Sequence, residues 1–269
     1  MIPAATRYAR ATDLDHALEL LADTDAKAIA GGQSLIPVMK LRIARPSLVV
    51  DISRLALKGV DEREGEGELH VGPLTTWDEL IGSDPLSRPA LAAIPECAAR
   101  IGDLQVRNLG TVGGSIAHAD PASDMPAVLL ALGARLRLRS PEGERELQLA
   151  DALLGPFTTA IAPQELVIDV VVPVPPRGSG SAYRSVEHPA SGFALVGAAA
   201  LVTPAGATVA LTGVGAAPFV LAEGDPKAAI AAAEIYGDRF ASAEYRRELA
   251  SVLVERALAV AHERAKEES

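Results

Sequence analysis

Two glycine-containing segments of this chain have the residue types that bind phosphate groups. The first is Ala30-Gly31-Gly32-Gln33-Ser34-Leu35, and the second is Thr111-Val112-Gly113-Gly114-Ser115. Glycines let the backbone approach a phosphate without an intervening Cβ atom, and N–H groups at the start of a helix donate hydrogen bonds to an anion. Each segment alone also fits a tight turn with no ligand. Two such segments in one domain favour a long dinucleotide with a pyrophosphate.

The second segment continues into polar residues that could contact a nucleoside. Thr111 and Ser115 add hydroxyl groups, and His118 and Asp124 follow before a predicted apolar helix over Met125–Leu132. The Asp124 carboxylate could accept hydrogen bonds from a ribose or a base edge. The alternative role is an N-cap, which is common for Asp just before a helix.

Other well-known catalytic motifs are absent from the sequence. It has no Gly-Lys pair of a P-loop, no G-x-S-x-G elbow and no H-E-x-x-H zinc motif. Gly213-Val-Gly215-Ala-Ala-Pro218 is similar to a dinucleotide fingerprint, but a proline stands where the third glycine belongs and no helical pattern follows directly. We interpret it as a turn.

Composition limits the redox chemistry that this chain can perform by itself. Cys97 is the single cysteine, so the chain can form neither an internal disulfide nor an iron–sulfur site of four cysteines. The five histidines are scattered, and we predict no metal site. The net charge of −10 disfavours nucleic-acid binding. The apolar runs are shorter than a membrane span and no signal peptide is evident, so we expect a cytoplasmic protein.

Hydrophobic periodicity and turn residues predict the order of the elements. Thr12 is the predicted N-cap of the first helix. Strands are predicted over Lys27–Ala30, Leu48–Ile52, Leu69–Val71, Arg135–Arg139 and Val167–Val172, and helices over Ser34–Arg42, Pro85–Ile101 and Met125–Leu132. The strands at Lys27 and Leu48 should form a parallel β-α-β pair.

A proline- and glycine-rich stretch, Pro173–Ser181, is the predicted domain boundary. Beyond it we predict three antiparallel strands, Ala182–Val186, Phe193–Thr203 and Thr208–Gly215. Two helices follow, Pro226–Ala233 and Ala243–Lys266, the second with a predicted buried stripe of Leu249, Val252, Leu253 and Leu258.

The two glycine segments and their surroundings resemble a known family. Ala-Gly-Gly-Gln-Ser-Leu, Arg107-Asn-Leu-Gly-Thr-Val-Gly-Gly-Ser and His118-Ala-Asp-Pro-Ala-Ser-Asp-Met-Pro are similar to the FAD-binding medium subunit of the carbon monoxide dehydrogenase and xanthine dehydrogenase families. The resemblance implies an α+β fold of the vanillyl-alcohol-oxidase type, with FAD between two subdomains. It implies an FAD-binding domain over 1–175, with subdomains of about 1–54 and 55–175, and a C-terminal domain over 176–269.

The resemblance also implies which residues contact a non-covalently bound FAD. Ala30–Leu35 and Thr111–Ser115 would hold the pyrophosphate. Along the adenosine half would lie Ile101, His118 and Asp124. On the flavin side would lie the backbone of Val167, the guanidinium of Arg184 and the ring of Phe193, for which a core strand position is the alternative.

The function implied by the resemblance is electron transfer within a complex. Substrate would be oxidised at a molybdenum cofactor on a large subunit, and electrons would pass through 2Fe–2S clusters on a small subunit to FAD on this chain. The assembly would be a dimer of heterotrimers, and no residue of this chain would be catalytic. One alternative is a self-sufficient flavoenzyme. The other is a scaffold that has lost FAD, and the intact glycine segments disfavour this second alternative.

Overall fold

The computed structural model describes residues 2–23, 25–63 and 67–267. The first part of the chain forms a three-stranded parallel sheet in the order β1-β3-β2. Its elements are β1 (Arg7–Arg10), α1 (Leu14–Leu21), β2 (Ala26–Ile29), α2 (Leu35–Lys40) and β3 (Leu48–Asp51). The predicted parallel pair of β2 and β3 is confirmed.

Two details of this first unit differ from the prediction. Strand β1 was not predicted, because its mostly exposed residues do not give an alternating apolar pattern. Thr12 is not the N-cap of α1. Asp13 has that position, since its carboxylate accepts a hydrogen bond from the His16 N–H at 2.8 Å.

The middle of the chain forms a five-stranded antiparallel sheet in the order β4-β5-β10-β6-β7. Its strands, together with a separate β8–β9 hairpin, are β4 (Val60–Arg63), β5 (Glu68–Val71), β6 (Arg135–Ser140), β7 (Gly143–Gln148), β8 (Leu153–Gly155), β9 (Thr158–Thr159) and β10 (Leu166–Pro173). The helices are α3 (Trp77–Ile81), α4 (Ala93–Arg100), α5 (Leu104–Arg107), α6 (Val112–His118), α7 (Asp124–Ala131) and α8 (Leu149–Ala152).

The predicted continuous helix over Pro85–Ile101 was wrong. Two short 3-10 helices, Asp84–Leu86 and Pro89–Leu91, precede α4. Each of them has a proline in its first turn. Proline lacks a backbone N–H and cannot continue a helical hydrogen-bond series, so the chain turns twice before α4 begins.

The last part of the chain forms a four-stranded antiparallel sheet covered by helices. Its elements are β11 (Gly180–Glu187), β12 (Ala194–Thr203), β13 (Gly206–Thr212), β14 (Phe219–Val220), α9 (Pro226–Ala232) and α10 (Ala243–Glu267). The three predicted antiparallel strands are confirmed. Phe193 lies just before β12, and the segment after Gly213 is an irregular turn, as interpreted.

The predicted apolar stripe on α10 is confirmed at three of its four residues: Leu253 is buried, and Leu249 and Leu258 are partly buried against the core. The prediction was wrong for Val252. Val252 is 42% exposed, whereas the buried residues of this helix are Arg246, Ala250, Leu253, Val254, Ala257, Ala261 and Ala265. The alanines allow the helix to approach the sheet closely. A Cβ atom added to Gly180 of β11 would lie 2.3 Å from the Ala261 carbonyl oxygen.

The largest hydrophobic core extends from the middle sheet into the last one. It packs α4 and α7 against the five-stranded sheet and includes Tyr183, Ala199, Leu201 and Ala210 from beyond the proline-rich boundary. A second core lies between α10 and the last sheet, and a third surrounds α1. In the described part of the chain, no helix is both long and apolar enough to cross a membrane.

Candidate functional site

The first glycine segment connects β2 to α2 and presents unpaired backbone N–H groups. Gly32 has a φ of +70°, a conformation that glycine adopts without steric cost. Among the described residues, the N–H groups of residues 31–34 have no acceptor within the chain. Ser34 begins α2 without a side-chain capping bond. Successive free N–H groups in such a turn form a concave site for an anion.

The second glycine segment forms the start of α6. Thr111 is the N-cap, and its hydroxyl accepts a hydrogen bond from the Gly114 N–H at 3.2 Å. The Gly113 N–H donates to the Pro73 carbonyl at 2.8 Å, and a Cβ atom on Gly113 would collide with Pro73. Gly114 is exposed, and a Cβ atom added there would have only the Thr111 hydroxyl within 4 Å.

The fold brings the backbone of the first glycine segment against the two residues that immediately precede the second, Leu109 and Gly110. A Cβ atom on Gly31 would lie 1.7 Å from the Leu109 carbonyl oxygen and 3.1 Å from the Gly110 nitrogen. The Gly110 carbonyl in turn accepts a hydrogen bond from the backbone N–H of Trp77 at 3.2 Å. The free N–H groups of the first segment therefore lie beside the short connection, residues 109–110, that leads into α6.

The last residue of α6, His118, makes an aromatic contact with the β8–β9 hairpin that the sequence did not reveal. The rings of His118 and Phe157 lie 5.2 Å apart. The Phe157 N–H donates to the Ala119 carbonyl at 2.9 Å, and both Ala119 and Phe157 have positive φ values, +50° and +53°. Phe157 is 62% exposed. Aromatic residues make up only 3% of the sequence, so the isolated Phe157 after Gly-Pro was the one feature of the sequence that could have drawn attention to this contact.

The Asp124 carboxylate points into the core. Ser123 has the N-cap position of α7, and Asp124 is the first helical residue. Its Oδ1 atom accepts a hydrogen bond from the Tyr183 hydroxyl at 2.5 Å. Burial raises the pKa of Asp124 to about 6, and the Tyr183 hydrogen bond partly opposes that shift. Its partner in the structure is therefore a tyrosine of the last sheet, which the sequence did not predict.

Ile101 and Phe193 come from different parts of the chain, and the residues next to them, Gly102 and Gly192, approach each other. Ile101 follows α4, and the Arg107 guanidinium donates to the carbonyl oxygens of Ile101 and Gly102 at 3.3 and 2.8 Å. A Cβ atom on Gly192 would lie 4.0 Å from the Gly102 Cα atom. The loop that carries Phe193 thus packs beside the turn after α4, and Phe193 itself is 43% exposed.

Arg184 and Val167 have other contacts within the fold. The Arg184 guanidinium lies 3.1 Å from the Glu96 carboxylate and also donates to the Tyr183 carbonyl. Its charge is therefore already paired. Val167 is a half-buried residue of β10 and lies opposite Leu138 of β6.

No group of three or more His, Cys, Asp and Glu side chains able to hold a metal ion occurs among the described residues. The arrangement is instead one of backbone donors, small residues and a few aromatic rings. Such a set of groups can bind a phosphate-containing organic cofactor, and it fits the pyrophosphate of a dinucleotide.

The comparison with protein families identifies this cofactor. Residues 4–175 match the family described as the FAD binding domain in molybdopterin dehydrogenase. This chain belongs to that family. It is 38% identical over 290 aligned positions to the carbon monoxide dehydrogenase medium chain of Afipia carboxidovorans, covering 99% of this chain and 100% of that protein. It is 43% identical over 206 residues to the 6-hydroxypseudooxynicotine dehydrogenase complex subunit alpha of Paenarthrobacter nicotinovorans, covering 76% and 69%.

Solved structures show the same fold over the whole chain. A chain of the reconstituted CO dehydrogenase from Oligotropha carboxidovorans matches with a TM-score of 0.91 and 36% identity, covering 98% of this chain and 100% of that one. Quinoline 2-oxidoreductase from Pseudomonas putida 86 matches with a TM-score of 0.88 and 28% identity, covering 98% and 99%. The predicted family, α+β fold class and FAD cofactor are confirmed. The chain is an FAD-binding subunit of the molybdenum hydroxylase family and thus part of an oxidoreductase.

Proposed function

We propose that this chain relays electrons from 2Fe–2S clusters of a partner small subunit, through FAD, to an acceptor. The oxidised substrate would react at a molybdenum cofactor on a large subunit. The contact between Gly31 and Leu109 carries the proposal, because it places the first glycine segment beside the residues that lead into the second, as one dinucleotide site would require. The single, buried Cys97 supports this division of roles, since iron–sulfur clusters need several cysteine ligands.

We infer the residues that would hold FAD from the family pattern, and the free N–H groups of the first glycine segment support its pyrophosphate end. The N–H groups of residues 31–34 would donate to the pyrophosphate, with Ala30–Leu35 and Thr111–Ser115 as its two walls. Ile101, His118 and Asp124 would border the adenosine half. The flavin would be bordered by Val167, Arg184 and Phe193. Bound FAD supplies the redox chemistry, and this chain binds, orients and shields it.

Arg184 and Asp124 would act differently from residues with free polar groups. Because the Glu96 carboxylate already pairs with the Arg184 guanidinium, Arg184 would bring little net positive charge to the flavin site. Because the Asp124 carboxylate is hydrogen-bonded to Tyr183, it would contact the cofactor through its backbone or indirectly. We therefore expect the backbone donors of the glycine segments to provide most of the affinity for FAD.

The domain limits and the assembly belong to the same proposal. We infer an FAD-binding domain over 1–175, with subdomains of about 1–54 and 55–175, and a C-terminal domain over 176–269 that flanks the flavin. The three-, five- and four-stranded sheets, which lie within these three ranges in turn, support the limits. The complex would be a dimer of heterotrimers in the cytoplasm.

The relay is tested with the purified full chain under anaerobic conditions. We expect a yellow protein whose flavin absorption, near ~450 nm for a protein-bound flavin, is released by acid precipitation. Purines, aldehydes, carbon monoxide and N-heterocycles should leave this band unchanged. Addition of the large and small subunits should restore reduction by the cognate substrate.

Two results would contradict the proposal in different ways. A colourless protein that takes up no added FAD would remove the cofactor assignment. Rapid bleaching of the isolated flavin by a substrate, with no iron or molybdenum detected by elemental analysis, would show a self-sufficient flavoenzyme.

A further inference from the structure

The loop that carries Phe193 is closed by its own hydrogen bonds. The His188 N–H donates to the Phe193 carbonyl at 2.8 Å, and the Gly192 N–H donates to the His188 carbonyl at 2.9 Å. The Ser191 N–H lies 3.3 Å from His188 Nδ1. Residues 188–193 therefore form a compact turn between β11 and β12, with His188 and Phe193 at its two ends.

A second turn, residues 238–241, packs against this loop. The rings of His188 and Phe240 lie 4.4 Å apart at an angle of 56°. The Arg239 guanidinium lies 4.6 Å from the centre of the Phe240 ring. Phe240 is 52% exposed, so burial in the core does not explain its position. Its ring contacts both a cation and an imidazole, and both contacts are attractive.

A buried arginine provides an independent link between the same two turns. Arg246 is 6% exposed, and its guanidinium donates to the Leu195 carbonyl at 2.6 Å and to the Gly213 carbonyl. It also pairs with the Asp238 carboxylate at 2.7 Å. Asp238 accepts hydrogen bonds from the N–H groups of Phe240 and Ala241 at 2.8 and 3.0 Å. The 238–241 turn is thus anchored to the first residues of β12.

We propose that the 238–241 turn clamps the 188–193 loop and so sets the position of Phe193 beside the flavin. This inference rests on the proposed function for the placement of Phe193. It makes Phe240 and His188 positioning residues, which act on the flavin through Phe193 without touching it. The clamp would control how the Phe193 ring covers the flavin and how an acceptor reaches it.

The test compares single and double variants of the full FAD-loaded chain. Flavin fluorescence and absorption are measured first, followed by the rate at which dithionite-reduced flavin is reoxidised by dichlorophenolindophenol. We expect F193A, F240A and H188A each to change this rate about threefold to tenfold, the range expected for one aromatic contact. The F193A/F240A double variant should equal F193A alone, because residues on one pathway are not additive.

Two controls separate a positioning role from a general structural one. F240Y should restore the wild-type rate and spectrum. Tyr245 of α10 is also 52% exposed, and Y245A should change neither the reoxidation rate nor the flavin spectrum. A flavin-to-protein ratio near wild type in each variant shows that binding is intact.

The possible failures are distinguishable. An effect of F193A without any effect of F240A or H188A overturns the clamp and leaves the proposed function in place. Additive effects in the double variant also overturn the clamp. If F193A itself leaves the spectrum and the rate unchanged, the placement of Phe193 beside the flavin is wrong, and the clamp fails with it.

Discussion

Individual glycines in the two segments have different structural roles. Gly31 is required by the protein itself, because a Cβ atom there would overlap the Leu109 carbonyl. Gly113 is likewise packed against Pro73. Gly114 is exposed and has open space beside it apart from the Thr111 hydroxyl. A substitution at Gly114 therefore tests the ligand, whereas one at Gly31 tests the fold.

The first residue-scale prediction concerns Gly114→Val. The valine side chain should occupy the space where the pyrophosphate approaches, and the flavin-to-protein ratio after purification should fall at least about tenfold. The thermal unfolding midpoint should fall by only a few degrees, since the added Cβ atom, 2.8 Å from the Thr111 hydroxyl, displaces this N-cap of α6 but meets no core residue. As a matched control, Gly82→Val places the same side chain where nothing lies within 4 Å, and FAD retention should be unchanged. Full retention in Gly114→Val would show that α6 does not face the pyrophosphate.

Gly31→Ala should lower the stability of the fold, in contrast to Gly114→Val. The added methyl group forces the two segments apart, and overpacking of this kind costs about 1–3 kcal/mol. We expect a lower midpoint in chemical denaturation together with loss of FAD. A variant that loses FAD at wild-type stability would argue against the close contact with Leu109.

Asp124 gives a prediction for stability as a function of pH. Its pKa is raised from 3.8 to about 6 by burial. Between these values the unfolded chain is ionised while the folded chain keeps the proton, so stability falls as pH rises from about 4 to above 6. The total effect is about 3 kcal/mol, since one pKa unit corresponds to ~1.4 kcal/mol.

Asp124→Asn removes this titration and should keep the Tyr183 hydrogen bond through its amide oxygen. Urea unfolding of the flavin-free protein at several pH values should show that the wild type loses stability relative to the variant across this window. The exposed Asp151→Asn serves as the control for the same change of side chain at the surface. Parallel profiles for wild type and Asp124→Asn would rule out a raised pKa.

At the scale of elements, the packing of α10 on the last sheet depends on small residues. Alanines at 257, 261 and 265 are buried, and Gly180 of β11 lies directly beneath the helix backbone. The same helix is held by charge. Arg264 lies 2.6 Å from Glu96 of α4, and Arg184 of β11 pairs with the same carboxylate. Burial would raise the pKa of Glu96, but hydrogen bonds from Arg264 and the Tyr183 backbone N–H, together with the charges of both arginines, lower it.

Gly180→Ala is the element-scale prediction. A Cβ atom there would lie 2.3 Å from the Ala261 carbonyl and 2.6 Å from the Ala265 nitrogen. Because both are backbone atoms, the helix must shift, and we expect a loss of about 1–3 kcal/mol in the free energy of unfolding. The exposed Val252→Ala on the other side of α10 should change it by less than about 0.5 kcal/mol. Equal stability of Gly180→Ala and wild type would contradict this packing.

At the scale of the whole molecule, the FAD-binding family region and the last sheet share one core. Tyr183, Ala199 and Leu201 belong to the same buried cluster as Val170 and α7. The Thr212 hydroxyl also donates to the carbonyl oxygens of Pro121 and Ser123, at 3.1 and 2.7 Å. The chain that follows α6 is therefore held in place by the last sheet.

A fragment of residues 1–175 should consequently be less stable than the corresponding part of the full chain. Its core would expose the surface that Tyr183, Ala199 and Leu201 cover. Exposing apolar surface costs about 25 cal/mol of stability per Å². We expect calorimetry to show one unfolding transition for the full chain, and the fragment to unfold at a lower temperature and to retain less FAD. A fragment with the stability and FAD content of the full chain would show that the two parts are independent.

The sequence by itself determined the family, the FAD cofactor and most elements. The glycine segments were recognisable because close backbone approach and positive φ favour glycine over other residues, as at Gly32. The strands after residue 180 and the β-α-β pair were predicted from hydrophobic patterns together with turn residues. Errors occurred where periodicity was weak or misleading, as in exposed β1, in the proline-interrupted stretch before α4 and on the alanine-rich face of α10.

Only the tertiary structure decided which distant residues meet. The Gly31–Leu109 contact, the hydrogen bond from Tyr183 to Asp124 and the ring contact of His118 with Phe157 join segments far apart in the chain. Local patterns contain no information about such pairs, because they depend on how sheets and helices pack. The orientation of the Asp124 carboxylate shows the physical reason. A residue type and its place before a helix permit a cap, a ligand contact or a buried hydrogen bond, and the packing of β11 against α7 selects the last.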